Sequence, residues 1–339
     1  MKAGKDKINW YRIPIDRKTM RELTQRSDWL GLTQVLGHLG LVSLTGIAAF
    51  YAVNRLPLAC FLLILFLHGT FYSFLYNGTH ELSHYSVFKT RWLNQFFLML
   101  LSFMVWRSHI LFLTSHTEHH KYTLHPPHDL EVVLPVKVTL KSFLKSAVIN
   151  PWMLYDTIKA AIRLSSGKLE GEWEMVLFPT SDREKRFYLF NWARLLLFGH
   201  LLIIIFSWYK GLWLIPLLIT LAPFYGGGLR YLCNNTQHTG LEDNVADFRL
   251  CCRTVILNPF VSFLYWHMNY HTEHHMYAAV PCYHLGRLHQ LIRAQMPRCP
   301  KGLVSAWTEI IMIRKKQATD PQYQHRLQLP KPAMDSTAN

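Results

Sequence analysis

Long apolar runs separated by short polar turns dominate the chain. The first run covers residues 32–53, which contain no charged side chain and are long enough to cross about 30 Å of hydrocarbon. A short polar turn leads into a second apolar run, which ends near Tyr76. A second pair of runs flanks a turn at Lys210 and Gly211. The pattern predicts an all-α integral membrane protein with four transmembrane helices in two hairpins, at about residues 32–53, 56–76, 191–209 and 212–232.

The other segments are predicted to lie outside the hydrocarbon. Residues 92–106 are uncharged but too few for a full span, which favours an interfacial helix, with a re-entrant segment as the alternative. Residues 121–190 mix charges with prolines, as expected of an extramembrane cap with amphipathic helices. A basic N-terminal segment, 1–31, precedes a membrane domain at 32–295. A C-terminal tail, 296–339, follows it, and we expect the polar, proline-marked end of this tail to be mobile.

Charge supports this topology and orients it. The chain carries 36 Lys and Arg against 21 Asp and Glu, a formal net charge of +15. Such an excess suits nucleic acid, an acidic protein or anionic lipid, and the apolar runs favour the membrane. If the four spans form two hairpins, Arg55 and Lys210 are the only Lys and Arg residues on one side of the membrane. The cap and both termini then lie on the other side. The positive-inside rule makes the side with the cap cytoplasmic.

Three histidine clusters interrupt the apolar sequence. The first is HELSH at residues 80–84, and the pentapeptide HTEHH then occurs twice, at 116–120 and 271–275. On a helix, positions i, i+3 and i+4 project from one face. Each HTEHH therefore directs three imidazoles the same way, and HELSH directs two. Eight clustered imidazoles are too many for a single ion, so we predict two metal ions on the cytoplasmic side.

Ligand type leaves the metal open, because neutral imidazole suits zinc, copper, iron and nickel. His238 is a ninth candidate ligand, since it lies four residues after Asn234, on the same helical face, where the fourth predicted span ends. The six cysteines form neither a CxxC pair nor a disulfide pattern and are interpreted as ordinary thiols. Six histidines outside the clusters are interpreted as structural, hydrogen-bonded residues: His38, His68, His200, His284, His289 and His325.

Two other classes of protein fit part of the pattern. HELSH has the HExxH spacing of zinc hydrolases, in which two histidines bind zinc and the glutamate is the general base. That motif does not account for the remaining histidines. A metal transporter is expected to carry acidic or histidine side chains through its spans, and the four predicted spans contain no Asp or Glu.

The order HELSH, HTEHH, HTEHH across four spans resembles the membrane fatty acid desaturase and hydroxylase family, a histidine-box family with a non-haem di-iron centre. The flanking residues are similar to its desaturase branch: Asn269 and Tyr270 precede the last cluster, and Met276 and Pro281 follow it. The resemblance covers about residues 30–295. It is specific for the family as a whole and says little about the substrate.

The resemblance implies two iron ions (Fe2+/Fe3+) whose ligands are His80, His84, His116, His119, His120, His238, His271, His274 and His275. No catalytic residue beyond these metal ligands is implied. Asn234 matches an asparagine that, in some related enzymes, approaches one iron through water. Ligating imidazoles usually donate their other N–H group to a carboxylate or carbonyl. The candidate carboxylates are Glu81, Glu118, Glu273, Asp129 and Asp247.

By the same resemblance, the expected activity is O2-dependent desaturation of a lipid acyl chain or other lipophilic chain. Hydroxylation at the same site is the alternative, and zinc-dependent hydrolysis is a third option. The sequence shows no ferredoxin-like cysteine pattern, no GxGxxG fingerprint and no recognisable haem domain, so a separate electron donor is expected. The basic cytoplasmic surface suits an acidic carrier such as ferredoxin or cytochrome b5 with its reductase. The other expected partners are membrane lipid and the lipophilic substrate; no nucleic acid is expected.

Overall fold

The computed structural model describes residues 7–330, which are built from helices. Within that range it contains isolated β-bridges but no β-strand, so the all-α class is confirmed. Of the two predicted terminal segments, residues 1–6 and 331–339 lie outside the described residues. The α-helices are Arg17–Leu23, Asp28–Ala52, Leu58–Ser73, Leu75–Ser83, Arg91–Met104, His109–Tyr122, Leu140–Ala147, Pro151–Ser165, Gly171–Leu177, Arg183–Tyr209, Leu214–Leu218, Gly228–Asn234, Phe248–Cys251, Pro259–Leu264, His271–Met276, Leu285–Ile292 and Gly302–Thr319. The 3₁₀ helices are Ala222–Phe224, Cys282–His284 and Arg293–Gln295.

Three helical stretches in the described part of the chain are long and apolar enough to cross a membrane: Asp28–Ala52, Leu58–Ser83 and Arg183–Tyr209. The first two form a hairpin, in which the Thr45 hydroxyl lies 3.0 Å from Nδ1 of His68. Many apolar side chains on these helices face outward. Leu44 and Phe198, for example, are each 63% exposed. Exposed apolar surface on this scale is unfavourable in water and fits contact with lipid.

The segment predicted to be interfacial forms one arm of a bent helix pair. Arg91–Met104 and His109–Tyr122 meet at 108°, and together they are apolar enough to count as a fourth, broken span or a re-entrant loop. The bend places Trp106 at a positive φ of 57°. The Arg107 guanidinium donates to the Tyr76 carbonyl oxygen at 2.9 Å, which ties the bend to the end of the second long helix.

The last apolar stretch differs from the single helix expected over residues 212–232. It consists of the short helix Leu214–Leu218, the 3₁₀ turn Ala222–Phe224 and the helix Gly228–Asn234. Two prolines within it lack the N–H group that a continuous helix requires. Gly226 adds a positive φ of 67°, which ends helical geometry. The sequence is apolar enough for a span, but its backbone is broken.

Gly226 also permits a close approach between backbones, as the GGG sequence at 226–228 indicates. A Cβ atom on Gly226 would lie 2.6 Å from the Phe66 carbonyl oxygen and 2.8 Å from the Thr70 backbone nitrogen. Neither backbone atom can move without displacing the helix Leu58–Ser73. This contact fixes the broken stretch against the second membrane helix.

We expect Gly226→Ala to destabilise the protein much more than Gly211→Ala. Both glycines have the same positive φ, 67° and 66°, so alanine costs roughly 1–2 kcal/mol of backbone strain at either position. Only Gly226 adds overpacking, which costs roughly 1–3 kcal/mol more, because nothing lies within 4 Å of a Cβ at Gly211. Thermal unfolding midpoints of the two detergent-solubilised variants measure the difference. Equal midpoints would show that the close approach does not contribute to stability.

The C-terminal segment contains one long helix, and the mobility predicted for its end stays a prediction. The helix Gly302–Thr319 extends past Arg314 and buries Ala306, Ile310 and Ile313. Beyond it, the backbone N–H of His325 donates to the Gly240 carbonyl oxygen at 2.8 Å. The described tail is therefore held against the loop that follows His238.

Candidate metal centre

The three histidine clusters lie on helices, as their spacing predicts. His80 lies in the last turn of Leu75–Ser83, and His84 caps that helix. The first HTEHH lies near the end of His109–Tyr122, and the second forms most of the short helix His271–Met276. Helix faces therefore direct the imidazoles of each cluster together, and tertiary packing brings the three clusters to one place.

Five imidazoles drawn from all three clusters form the first group: His80, His84, His116, His120 and His274. One nitrogen atom of each lies within 4.8 Å of those of the others. The Nε2 atom of His80 is 2.9 Å from Nε2 of His274 and 3.1 Å from Nε2 of His116. His80 and His274 are 194 positions apart in the sequence, so only the fold makes them neighbours.

The second group contains His238, His271, His275 and Cys252. The Nε2 atoms of His271 and His238 are 2.9 Å apart, and those of His275 and His271 are 3.1 Å apart. The His119 ring lies beside this group, with its centroid 4.9 Å from that of His275. Burial raises the pKa of Cys252, which keeps it a thiol and a weaker ligand than the imidazoles.

The two groups adjoin each other. The rings of His120, from the first group, and His275, from the second, stack with their centroids 4.3 Å apart. All nine histidines predicted as ligands therefore meet in one centre: eight belong to the two neighbouring groups, and His119 lies beside them, in a further group with His116 and Glu131. Their role as metal ligands stays a prediction.

Hydrogen bonds behind the rings leave lone pairs pointing into the centre. Nδ1 of His116 lies 2.7 Å from the Glu131 carboxylate, and Nδ1 of His238 lies 2.8 Å from the Cys251 carbonyl oxygen. Both acceptors require an N–H donor, so the Nε2 atoms of these two histidines are unprotonated. Nε2 of His84 is buried without a hydrogen-bond partner among the described residues.

These nitrogen positions fit metal ions. Unprotonated imidazole nitrogens about 3 Å apart repel each other unless a cation lies between them. Ligand nitrogens bind a divalent ion at about 2.0–2.1 Å, so two that are at right angles around it are about 3 Å apart. The Nε2–Nε2 distances within both groups, 2.9 to 3.1 Å, match that geometry.

Burial also keeps most of the imidazoles in their metal-binding form. Burial, with a smaller effect from the nearby His119, lowers the pKa of His238 to about 3. Burial, together with neighbouring histidines, lowers the pKa values of His271, His274 and His275 well below their usual value. These side chains are therefore neutral at physiological pH and have a lone pair available for a metal. His119 is the exception: burial lowers its pKa, but the contact with Asp129 raises it overall.

Carboxylates support individual histidines from behind. Asp129 lies 2.8 Å from Nδ1 of His119 and also accepts the backbone N–H groups of Leu124 and Glu131. Burial alone would raise the Asp129 pKa, but the contact with His119 and the backbone donors lower it overall. Glu81 lies 3.3 Å from Nδ1 of His274. These two of the predicted carboxylates contact histidines of the centre.

The other predicted polar residues have different partners. Glu273 accepts hydrogen bonds from Thr254 and His289. Glu118 pairs with Lys121 at 2.8 Å, and Asp247 pairs with Arg249 and caps the helix Phe248–Cys251. Asn234 accepts a hydrogen bond from Asn77 at 3.2 Å and shares a cavity lining with His238.

Glu131 is the carboxylate that the sequence analysis missed. One of its oxygens lies 2.7 Å from Nδ1 of His116, and the other accepts a hydrogen bond from Ser115 at 2.6 Å. Burial raises its pKa. Glu131 lies two residues after Asp129, in the segment that follows the first HTEHH. That position was the only feature of the sequence that could have indicated a contact with the histidines.

Histidines interpreted as structural do make ordinary hydrogen bonds within the fold. His68 bridges Thr45 and the Leu218 carbonyl oxygen, which joins three apolar segments. Ring nitrogens of His38, His200 and His284 each lie within hydrogen-bond distance of a backbone carbonyl oxygen. His289 contacts the carboxylate of Glu273. His325 contacts the rest of the described fold through its backbone N–H, which donates to the Gly240 carbonyl oxygen.

Three cavities reach the neighbourhood of the centre. One of about 640 Å³ opens beside His84, His116 and His120 and is bordered by the basic side chains Lys7, Arg12 and Lys121. A second, of about 350 Å³, borders His238. A third, of about 550 Å³, borders Glu131. Small molecules can therefore approach both groups of imidazoles.

Among the described residues, HELSH does not form a separate zinc hydrolase site. A zincin glutamate acts on a water bound to the zinc ion that the two histidines of its own motif hold. Here Glu81 lies behind His274, at 3.3 Å from its Nδ1, and His80 and His84 share their group with three further imidazoles. The geometry therefore favours a centre assembled from all three clusters over a single HExxH site.

Comparison with known proteins agrees with this centre. The model of the family described as fatty acid desaturase matches residues 55–305, well over half of the chain. The matched range contains all three clusters and His238. A search of curated proteins finds no match. On the strength of the family match, this chain belongs to the fatty acid desaturase family.

Proposed function

We propose that the protein is an O2-dependent desaturase that acts on a lipid acyl chain or another lipophilic chain. The observation that carries the proposal is the pair of adjoining imidazole groups next to membrane-length apolar helices. Imidazole binds iron as well as zinc, copper and nickel, and we propose iron because the family that the sequence resembles has a histidine-ligated di-iron centre. We further propose that the two groups hold one iron ion each.

When bound, two iron ions would supply the oxidation: O2, two electrons and two protons take one hydrogen from each of two neighbouring carbons, giving an alkene and two waters. The chain's own residues bind the ions, exclude water and position the substrate. Glu131 and Asp129 hold the rings of His116 and His119 in the tautomer that presents Nε2.

The electron donor is proposed to be an acidic carrier, such as ferredoxin or cytochrome b5 with its reductase. Support comes from Lys7, Arg12 and Lys121, which border the cavity beside His84 and His120. Complementary charge of this kind guides a partner to a site and raises its association rate. The same basic surface supports a cytoplasmic location for the centre under the positive-inside rule.

Mass spectrometry of lipids from cells that express the protein with a reductase system tests the proposal. We expect products that lack two hydrogens, and we expect them only when O2 is present. Elemental analysis of the purified protein should find iron. Products that gain one oxygen would instead establish a hydroxylase at the same site. Zinc in the protein, with no O2-dependent product, would overturn the redox assignment.

A further inference from the structure

The cavity of about 350 Å³ lies beside the second group of imidazoles and within the size range of ligand sites. His238 and Asn234 line it, and so does Arg230, which is one helical turn before Asn234. Its lining therefore connects a metal-ligand candidate to a guanidinium group. Among the described residues, no Asp or Glu lines this cavity.

Arg230 has no anionic partner. Its guanidinium lies over the Tyr76 ring, 4.6 Å from the centroid, and its Nε atom is buried without a hydrogen-bond partner. No carboxylate within residues 7–330 is within ion-pair distance of it. A partly buried guanidinium without a counterion is costly where the hydration that it loses is not replaced. The cavity thus holds a positive charge that lacks its counterion.

Three other partly or fully buried arginines in the fold have carboxylate partners. Arg253 lies 2.8 Å from Glu309, Arg249 lies 2.7 Å from its partner Asp247, and Arg163 lies 2.6 Å from Glu174. Arg107 has no carboxylate within ion-pair distance among the described residues, but it donates to the Tyr76 carbonyl oxygen and the Thr79 hydroxyl. Arg230 has neither kind of partner in the described part of the chain and lines a cavity, where a ligand can supply the anion.

Two of the amide groups nearby are already engaged. Nδ2 of Asn235 donates to the Tyr231 carbonyl oxygen at 2.9 Å, and Nε2 of Gln237 donates to the Tyr265 hydroxyl at 2.8 Å. Both side chains line the same cavity, as do the neutral amides of Asn150 and Asn234. Arg230 is the charged donor in this lining.

We propose that this cavity binds the anionic head group, a carboxylate or a phosphate, of a single-chain lipid substrate, with Arg230 as the residue that binds it. Calling the ligand a substrate rests on the proposed desaturase function. A planar guanidinium matches both anions with paired hydrogen bonds. Arg230 would then select substrates by the charge of their head group.

Binding of three amphiphiles with the same chain tests the proposal: hexadecanoate, hexadecyl phosphate and hexadecan-1-ol. Equilibrium dialysis against the purified, metal-loaded protein in a non-ionic detergent gives each dissociation constant. We expect Arg230→Gln to weaken binding of one or both anions by roughly 10-fold or more, since hydrogen bonds to charged groups contribute on that scale. Binding of the alcohol should be unchanged. The anion that binds wild type more tightly identifies the head group.

Two further variants separate charge recognition from structural damage. Arg194→Gln alters an exposed arginine that donates to the Ser165 carbonyl oxygen, and we expect it to bind all three amphiphiles as wild type does. Asn150→Asp places a negative charge in the cavity lining and retains the side-chain cap on the Met153 N–H, because aspartate is also a good N-cap. We expect Asn150→Asp to weaken binding of the anions selectively.

Unchanged anion binding in both Arg230→Gln and Asn150→Asp would overturn the proposal. An equal loss for the alcohol and the anions in Arg230→Gln would also overturn it, because Arg230 would then act through structure alone. Failure of the desaturase function is distinguishable from either result. In that case Arg230-dependent anion binding persists, while no O2-dependent product forms in cells.

Discussion

We expect a chain carrying His274→Ala to form no detectable O2-dependent lipid product and to bind fewer metal ions than wild type. Nε2 of His274 lies 2.9 Å from that of His80, and His274 is the one member of the first group that comes from the last cluster. Removing its imidazole takes one candidate ligand from the first group. It also removes the contact between the last cluster and the other members of that group. Loss of a supporting residue alone typically costs about 10–100-fold in metal affinity or activity, so loss of a ligand should exceed about 100-fold.

The measurements are metal content per chain and product formation in cells supplied with a reductase system. His325→Gln is the matched control, because the contact of His325 within the fold is made by its backbone N–H, which the substitution keeps. Its metal content and product should equal those of wild type. If His274→Ala retained both metal and product, the assignment of the first group would be wrong.

Glu131→Gln should lower product formation by about 10–100-fold while the protein remains folded. Glutamine keeps the size of the side chain but removes the negative charge that faces Nδ1 of His116 at 2.7 Å. Without that charge, His116 becomes a weaker electron donor to a metal. The amide can also present its NH₂ group to Nδ1, which would favour the tautomer with a protonated Nε2.

Glu118→Gln is the matched control for this prediction, since Glu118 lies on the same helix as His116 and pairs with Lys121. We expect less than about a twofold effect from it, because an ion pair whose lysine is exposed to solvent contributes little. Product rates and metal retention during titration with a chelator measure both variants. Equal behaviour of the two would show that Glu131 does not support the centre.

Hydropathy predicted the membrane helices well because the cost of placing each residue in lipid is largely local. The run at 32–53 corresponds to Asp28–Ala52, and the run at 191–209 to the longer helix Arg183–Tyr209. The helical stretch of the second run continues through HELSH to Ser83, beyond its apolar part. Hydropathy did not detect the break in residues 212–232, because apolar composition does not show that prolines and Gly226 interrupt the helix.

Of the carboxylates that the sequence analysis named, Asp129 and Glu81 lie beside histidines of the centre, and their supporting role stays a prediction; Glu131 was not named. Glu118 and Glu273 lie inside the HTEHH motifs, but the helix turns both toward other partners. Glu131 lies in a segment without regular secondary structure, so no periodicity indicates where its side chain points. Cys252 was likewise interpreted as an ordinary thiol, and the fold places it beside His238.

The sequence by itself determined the all-helical class, the apolar helices and the histidines that project together from each helix. These properties follow from local chemistry and from the 3.6-residue period, which act between residues a few positions apart. The tertiary structure alone decided how eight imidazoles divide into two groups with His119 beside them, which carboxylates contact them and where Arg230 lacks a partner. Those features join residues as far apart as His80 and His274, and they depend on how whole helices pack.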